Sequence, residues 1–209
     1  MKNFLLSITL LLFSGFALGQ DAAPLDHMIL TPQTFTNAIE ISIEQAYEEE
    51  AELSFYIAEY METLNMVAPR VRWTVYMLDV LEHDTPALVK FWSAGNQWIV
   101  VFHFKYNYMA ALTEMGKRVV VAHEVGHLTG RCMLLSTLSL QEICADLISA
   151  ELTTPDAVLA LLRFYKKQWP MNTILDERIA VLQNLLKIES LQPAPTMKTE
   201  EEINVEEVH

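Results

Sequence analysis

His123, Glu124 and His127 lie within the run VVVAHEVGHLTG, residues 119–130. On an α-helix, positions four apart share a face, so the two imidazoles can grip one ion between them. Glu124 falls about 100° further round the axis, beside such an ion and not on it. There a carboxylate can take a proton from a polarised water and later return it to a leaving group. Zinc accepts imidazole nitrogen and carboxylate oxygen in a tetrahedral shell, and a hydrolytic site keeps one position for water. Three protein donors are then required, and the two histidines supply two of them.

The third donor is expected from a second helix, and QEICADLISAEL, residues 141–152, offers one. Glu142 follows His127 by fifteen residues, enough for the chain to end one helix, turn through MLLSTLS and return. Asp146 is four beyond Glu142 and shares its face, where it can accept the distal N–H of His123 and fix that ring. Ser139 and Glu142 also have the spacing of a Ser-x-x-Glu capping box, which would turn Glu142 towards its own helix start. The upstream motif favours the ligand, because no other third donor is evident. Val119 to Ala122 and Leu128 flank the motif, so its helix should be amphipathic and buried. Gly126 costs about 1 kcal/mol in a helix against alanine, and a residue that small lets another segment approach closely.

These residues need elements to carry them. Asn37 and Glu40 have capping-box spacing, and a helical pattern runs on to about Asn65 through Ile39, Ile43, Ala46, Ile57, Met61 and Leu64. EEEAE within it reads as a solvated face, and Pro69 ends the segment. RVRWTVYML alternates Val71, Trp73, Val75 and Met77 with Arg72, Thr74 and Tyr76, the period of a half-buried strand. ALVKFW and QWIVVFHF flank the four-residue connection SAGN, a β-hairpin signature. His103 in the second of these strands reads as ordinary packing. Helical patterns then cover 108–130, 139–152, 155–168 and 175–190, the last with Ile179, Leu182, Leu185 and Leu186 on its apolar side. The expected fold is α+β, mostly helical, with a small hairpin sheet preceding the metal-binding helix.

At 209 residues the chain suits one main domain. Residues 1–19 have a basic start, a short apolar core and Ala17-Leu18-Gly19, the pattern of a cleaved secretory signal peptide. Residues 20–66 would form an N-terminal segment and long helix, 67–190 the domain bearing the site, and 191–209 a disordered acidic tail. Export to a periplasm or the exterior is the expected fate, without a stable membrane span once the signal is removed. A net charge of −13 argues against nucleic-acid binding, which needs basic surface to neutralise phosphates. An oxidising compartment invites a bridge between Cys132 and Cys144. Yet Cys144 lies about 200° from Glu142 on a helix, and two free buried thiols fit equally. Neither is expected as a zinc ligand.

VAHEVGHLTG followed by QEICADLISAEL resembles the gluzincin metallopeptidases, whose pattern is His-Glu-x-x-His and then Glu-x-x-x-Asp. Within them it is similar to the family of the CAAX prenyl endopeptidase and its soluble periplasmic relatives, from about residue 67 to 186. DERIAVL, residues 176–182, matches that family's Arg-Ile-x-x-Leu segment. The resemblance implies a zinc endopeptidase acting on a peptide or protein substrate. His123, His127 and Glu142 would be ligands, Glu124 the general base, Asp146 the residue orienting a ligand histidine and Arg178 the arginine near the active site. The interval from His127 to Glu142 is shorter than in that family, and Asn172 and Thr173 replace its His-Pro. HEVGH with ADLISAELTTP also resembles the ImmA/IrrE peptidases, while the signal peptide and DERIAVL favour the first family. For the oxyanion, Arg178, Tyr106, Tyr108 and Tyr165 are candidates, and the strand near 97–104 is expected beside the metal helix to hold extended substrate. A non-catalytic exported zinc protein that docks partners is the alternative. Glu124 separates the two, since a structural site has no use for a base.

Overall fold

The computed structural model describes residues 43–66, 71–78 and 85–191. The expected signal peptide, the Asn37–Glu40 cap, Pro69 and the tail beyond Leu191 lie outside them. Among the described residues the elements run α1 (Ile43–Thr63), β1 (Val71–Leu78), β2 (Ala87–Ala94), β3 (Gln97–Lys105), α2 (Tyr106–Met109), α3 (Glu114–His127), α4 (Gly130–Met133), α5 (Leu138–Leu152), α6 (Pro155–Gln168) and α7 (Thr173–Leu191). This is the α+β arrangement expected, a small sheet among packed helices. No helix among these residues is long and apolar enough to cross a membrane.

The three strands lie in the order β1-β3-β2, with β1 parallel and β2 antiparallel to β3. Alternation puts Val75, Val89, Phe91, Val100, Phe102 and Phe104 on the core face, all buried. The β2–β3 hairpin closes through two residues, not four, because Ser93 pairs with Trp98 and Ala94 with Gln97. Gly95 takes φ +63, the left-handed value that a tight hairpin turn demands and that glycine adopts without strain.

α3 sits at the centre. Every residue from Val119 to His127 is buried, the sign of a helix covered on all sides. It packs against α1, β2, α5 and α6. The expected single helix over 108–130 is divided: α2 ends at Met109 with Ala110 as its cap, and Thr113 starts α3, its hydroxyl accepting from Gly116 N at 3.2 Å. Threonine plays the same part at α5 and α6, where Thr137 accepts from Leu140 N and Thr154 from Ala157 N. Pro155 stands in the first turn of α6, where its missing N–H costs nothing.

α1 belongs to the same core, contributing Leu53, Tyr56, Ile57, Tyr60 and Met61. The EEEAE stretch is not simply solvated, as its composition had implied. Lys117 of α3 is only 8% exposed, and its ammonium lies 2.7 Å from both Glu49 and Glu52. A lysine that deep needs carboxylate partners, and the acidic run supplies them.

Cys132 of α4 and Cys144 of α5 form a disulfide, with Cα atoms 5.4 Å apart. The roughly 200° between Cys144 and Glu142 does not oppose the bridge: the far face of α5 is where α4 lies. Closing a loop of this size stabilises by about 3 kcal/mol through the unfolded chain's lost freedom.

Candidate metal centre

The last turns of α3 and the second turn of α5 face each other across a close helix contact. A Cβ built on Gly126 would stand 3.1 Å from both the Cα and the carbonyl oxygen of Ala145. The glycine foreseen as a point of close approach is that point. Ser149 adds a buried hydrogen bond from its hydroxyl to the Val119 carbonyl at 3.0 Å, a link with no sequence signal beyond a small polar residue in an apolar helix. Gly126→Val should force α3 and α5 apart and cost about 2–3 kcal/mol, with weaker metal binding because His127 and Glu142 separate. Thermal melting and zinc titration of the variant would check both effects.

His123, His127 and Glu142 each bring a ligand atom within 4.8 Å of the others, all three buried. The two Nε2 atoms are 3.1 Å apart. His123 Nε2 is 3.3 Å from Glu142 Oε2, and His127 Nε2 is 3.3 Å from Oε1. Ligands about 2.05 Å from a tetrahedral ion are about 3.3 Å from each other, so the spacing is that of a coordination shell. The remaining valences agree. Glu142 Oε1 is buried without a hydrogen-bond partner among the described residues, a cost usually met by an ion. Glu142 therefore faces the histidines. The capping alternative fails: Thr137 caps α5, and Ser139 donates instead to Glu177.

Asp146 is placed as expected. Its Oδ1 lies 2.9 Å from His123 Nδ1, which aims Nε2 at the centre. Arg178 faces the same carboxylates: Nε and Nη2 donate to Asp146 at 2.6 and 2.7 Å, and Nη1 pairs with Glu142 Oε2 at 2.9 Å. All three guanidinium nitrogens are thus taken by α5. Glu124 is 6% exposed, and no hydrogen bond holds its carboxylate among the described residues.

Charge describes the site in the same terms. Glu124, Glu142 and Asp146 against Arg178 leave a formal −2 when ionised, which one divalent cation cancels. Without it, protons serve. Burial alone would lower His123, but the Asp146 and Glu142 carboxylates outweigh burial and raise it to about 10. Burial pushes Glu124 up. Burial also opposes ionisation of Glu142 and Asp146, yet Arg178 holds both below the usual carboxylate range.

Tyr165 lines a cavity of about 20 Å³ with His123, Glu124, Asp146 and Arg178, and its ring packs against that of Tyr108 with centroids 5.9 Å apart. Tyr106 lies apart, near Glu49 and Lys117. A larger cavity of about 250 Å³, lined by Met66, Phe91, Trp98, Leu128 and Met133 among others, holds no titratable side chain and lies apart from the His123, His127 and Glu142 cluster.

The strand beside α3 is β2, not the expected 97–104 strand. β3 is paired on both edges and cannot accept another strand. Pro86 and Ala87 border the small cavity with His123 and Glu124. Lys105 N donates to the Pro86 carbonyl at 2.9 Å, so by alternation Ala87, Val89 and Phe91 turn their backbone groups away from β3. Compared with known protein families, curated proteins and solved structures, the chain matches none.

Proposed function

We propose that this protein is an exported zinc endopeptidase of gluzincin type. The observation that carries the reading is Glu124, a buried and unclaimed carboxylate beside a His-His-Glu donor set. Imidazole donors favour zinc and its transition-metal neighbours over calcium or magnesium, which prefer oxygen. Zinc bound there supplies Lewis acidity and lowers the pKa of a bound water. With the metal held by His123, His127 and Glu142, Glu124 would act as the proton carrier, taking a proton from the attacking water and giving it to the leaving amine; its raised pKa suits both halves of the transfer. Asp146 holds His123 in the tautomer that leaves Nε2 free, and Arg178 fixes the carboxylates of Glu142 and Asp146 as a positioning residue. An extended peptide pairs with the outward edge of β2, which brings its backbone past Glu124. The disulfide supports export, since such bonds persist in oxidising compartments.

A second reading is a non-catalytic zinc protein on the same scaffold. It is favoured by enclosure: the three donors are 1–8% exposed, and the adjoining cavity has room for about one water.

The test begins with metal. Purified protein should contain one equivalent of zinc, cleave casein, lose that activity to a chelator and regain it with stoichiometric zinc. At a hundredfold excess over Kd, zinc should stabilise by about 2.7 kcal/mol, raising the melting temperature by roughly 5–10 °C. Absence of both bound zinc and a thermal shift sinks either reading.

A further inference from the structure

The third metal donor stands on a different helix from the other two, and something must fix that helix against theirs. His123 and His127 belong to the buried central helix, whereas Glu142 stands in the second turn of α5, close to a helix start. That start is held by a 3.3 Å cap from Thr137, by Gln141 Nε2 donating to the Leu135 carbonyl at 2.9 Å and by Ser139 donating to Glu177. Helix ends fray more readily than interiors. The covalent bond at Cys144 lies two residues past Glu142 and two before Asp146, on the opposite face of the same turn. Its partner Cys132 is 1% exposed and five residues past His127. α5 is therefore gripped from both sides, by Arg178 and His123 on one face and by α4 on the other.

We propose that the Cys132–Cys144 disulfide is a positioning device for Glu142, so that tight metal binding belongs to the oxidised chain. This rests on the metal reading above. The bond fixes the rotation and depth of α5 against α3, and its loss frees the Glu142 donor while the Gly126–Ala145 contact keeps the helices together.

Zinc affinity, measured by competition with a chromophoric chelator, would be compared in the oxidised protein, in Cys132→Ser/Cys144→Ser and in wild type reduced with a phosphine. Both disulfide-free forms should bind zinc at least tenfold more weakly, the scale seen when a ligand's support is removed, while their metal-free circular dichroism stays native. Cobalt in place of zinc should show a weaker visible band as the carboxylate donor is lost. If serine unfolds the chain, Cys132→Ala/Cys144→Ala repeats the titration without burying a hydroxyl. Unchanged zinc affinity in a folded, disulfide-free chain overturns the proposal and leaves the bond a purely global brace. Failure of the oxidised protein to bind zinc at all overturns the metal reading, and this proposal with it.

Discussion

Glu124→Gln should lower casein cleavage by about 10³-fold or more while the protein keeps its zinc and its melting temperature. The amide has nearly the carboxylate's shape, so the buried position is filled as before, but it cannot accept and return a proton. General acid–base transfer alone contributes roughly 10²–10⁴ in rate. The proposed metal donors are untouched, because Glu124 projects from the side of α3 and the group that could hold an ion is His123, His127 and Glu142. The loss should appear in kcat with KM little changed, since Glu124 acts on the water and not on substrate binding. The same variant separates the two readings of the site. A structural zinc centre predicts that wild type and Glu124→Gln are indistinguishable in every assay, and equal activities would refute the catalytic role. Burial raises the carboxyl's pKa, so removing the ionisable group from an almost enclosed site should not destabilise the fold.

Arg178→Met should have the largest effect on stability. The guanidinium is 4% exposed and, among the described residues, is the one cation facing Asp146 and Glu142 that is not itself a proposed ligand. Removing one partner of a buried ionic group leaves charges uncompensated and costs about 3–5 kcal/mol. For a chain of this size that is a fall of roughly 10 °C in melting temperature. Zinc content should fall as well, because Glu142 and Asp146 lose their common anchor. Arg178→Lys should lie between, keeping a charge but unable to fork across Asp146 while reaching Glu142. Melting curves of the metal-free proteins, alongside bound zinc, read both effects; a methionine variant as stable as wild type would show that the pairing contributes nothing.

Much of the site was legible because helix geometry converts spacing directly into proximity. His123 and His127 four apart, and Glu142 and Asp146 four apart, each had to share a face once their segments were helical. Gly126 was legible for the same reason, as a poor helix former whose retention needs a packing cause. What failed to read was pairing between segments distant in the chain. Lys117 and the acidic run of α1 are 68 and 65 residues apart, and neither carries a local pattern naming the other. The choice between bridged and free cysteines depended on where α4 lies. The angular separation of Cys144 from Glu142 was read correctly, but it could not say what occupies the far face. The expectation that the 97–104 strand holds substrate failed on strand order, since a hairpin's sequence does not tell which of its strands has a second neighbour.

The sequence by itself determined most of the helical segments, the hairpin and the residue types able to hold a metal, because propensity and period act over a few residues. Only the tertiary structure decided that Glu142 turns to the histidines instead of capping its helix, that Arg178 is spent on two carboxylates, and that β2 is the strand packed beside α3. Those outcomes depend on which buried charges must be neutralised and which surfaces meet, and both are properties of the packed chain as a whole.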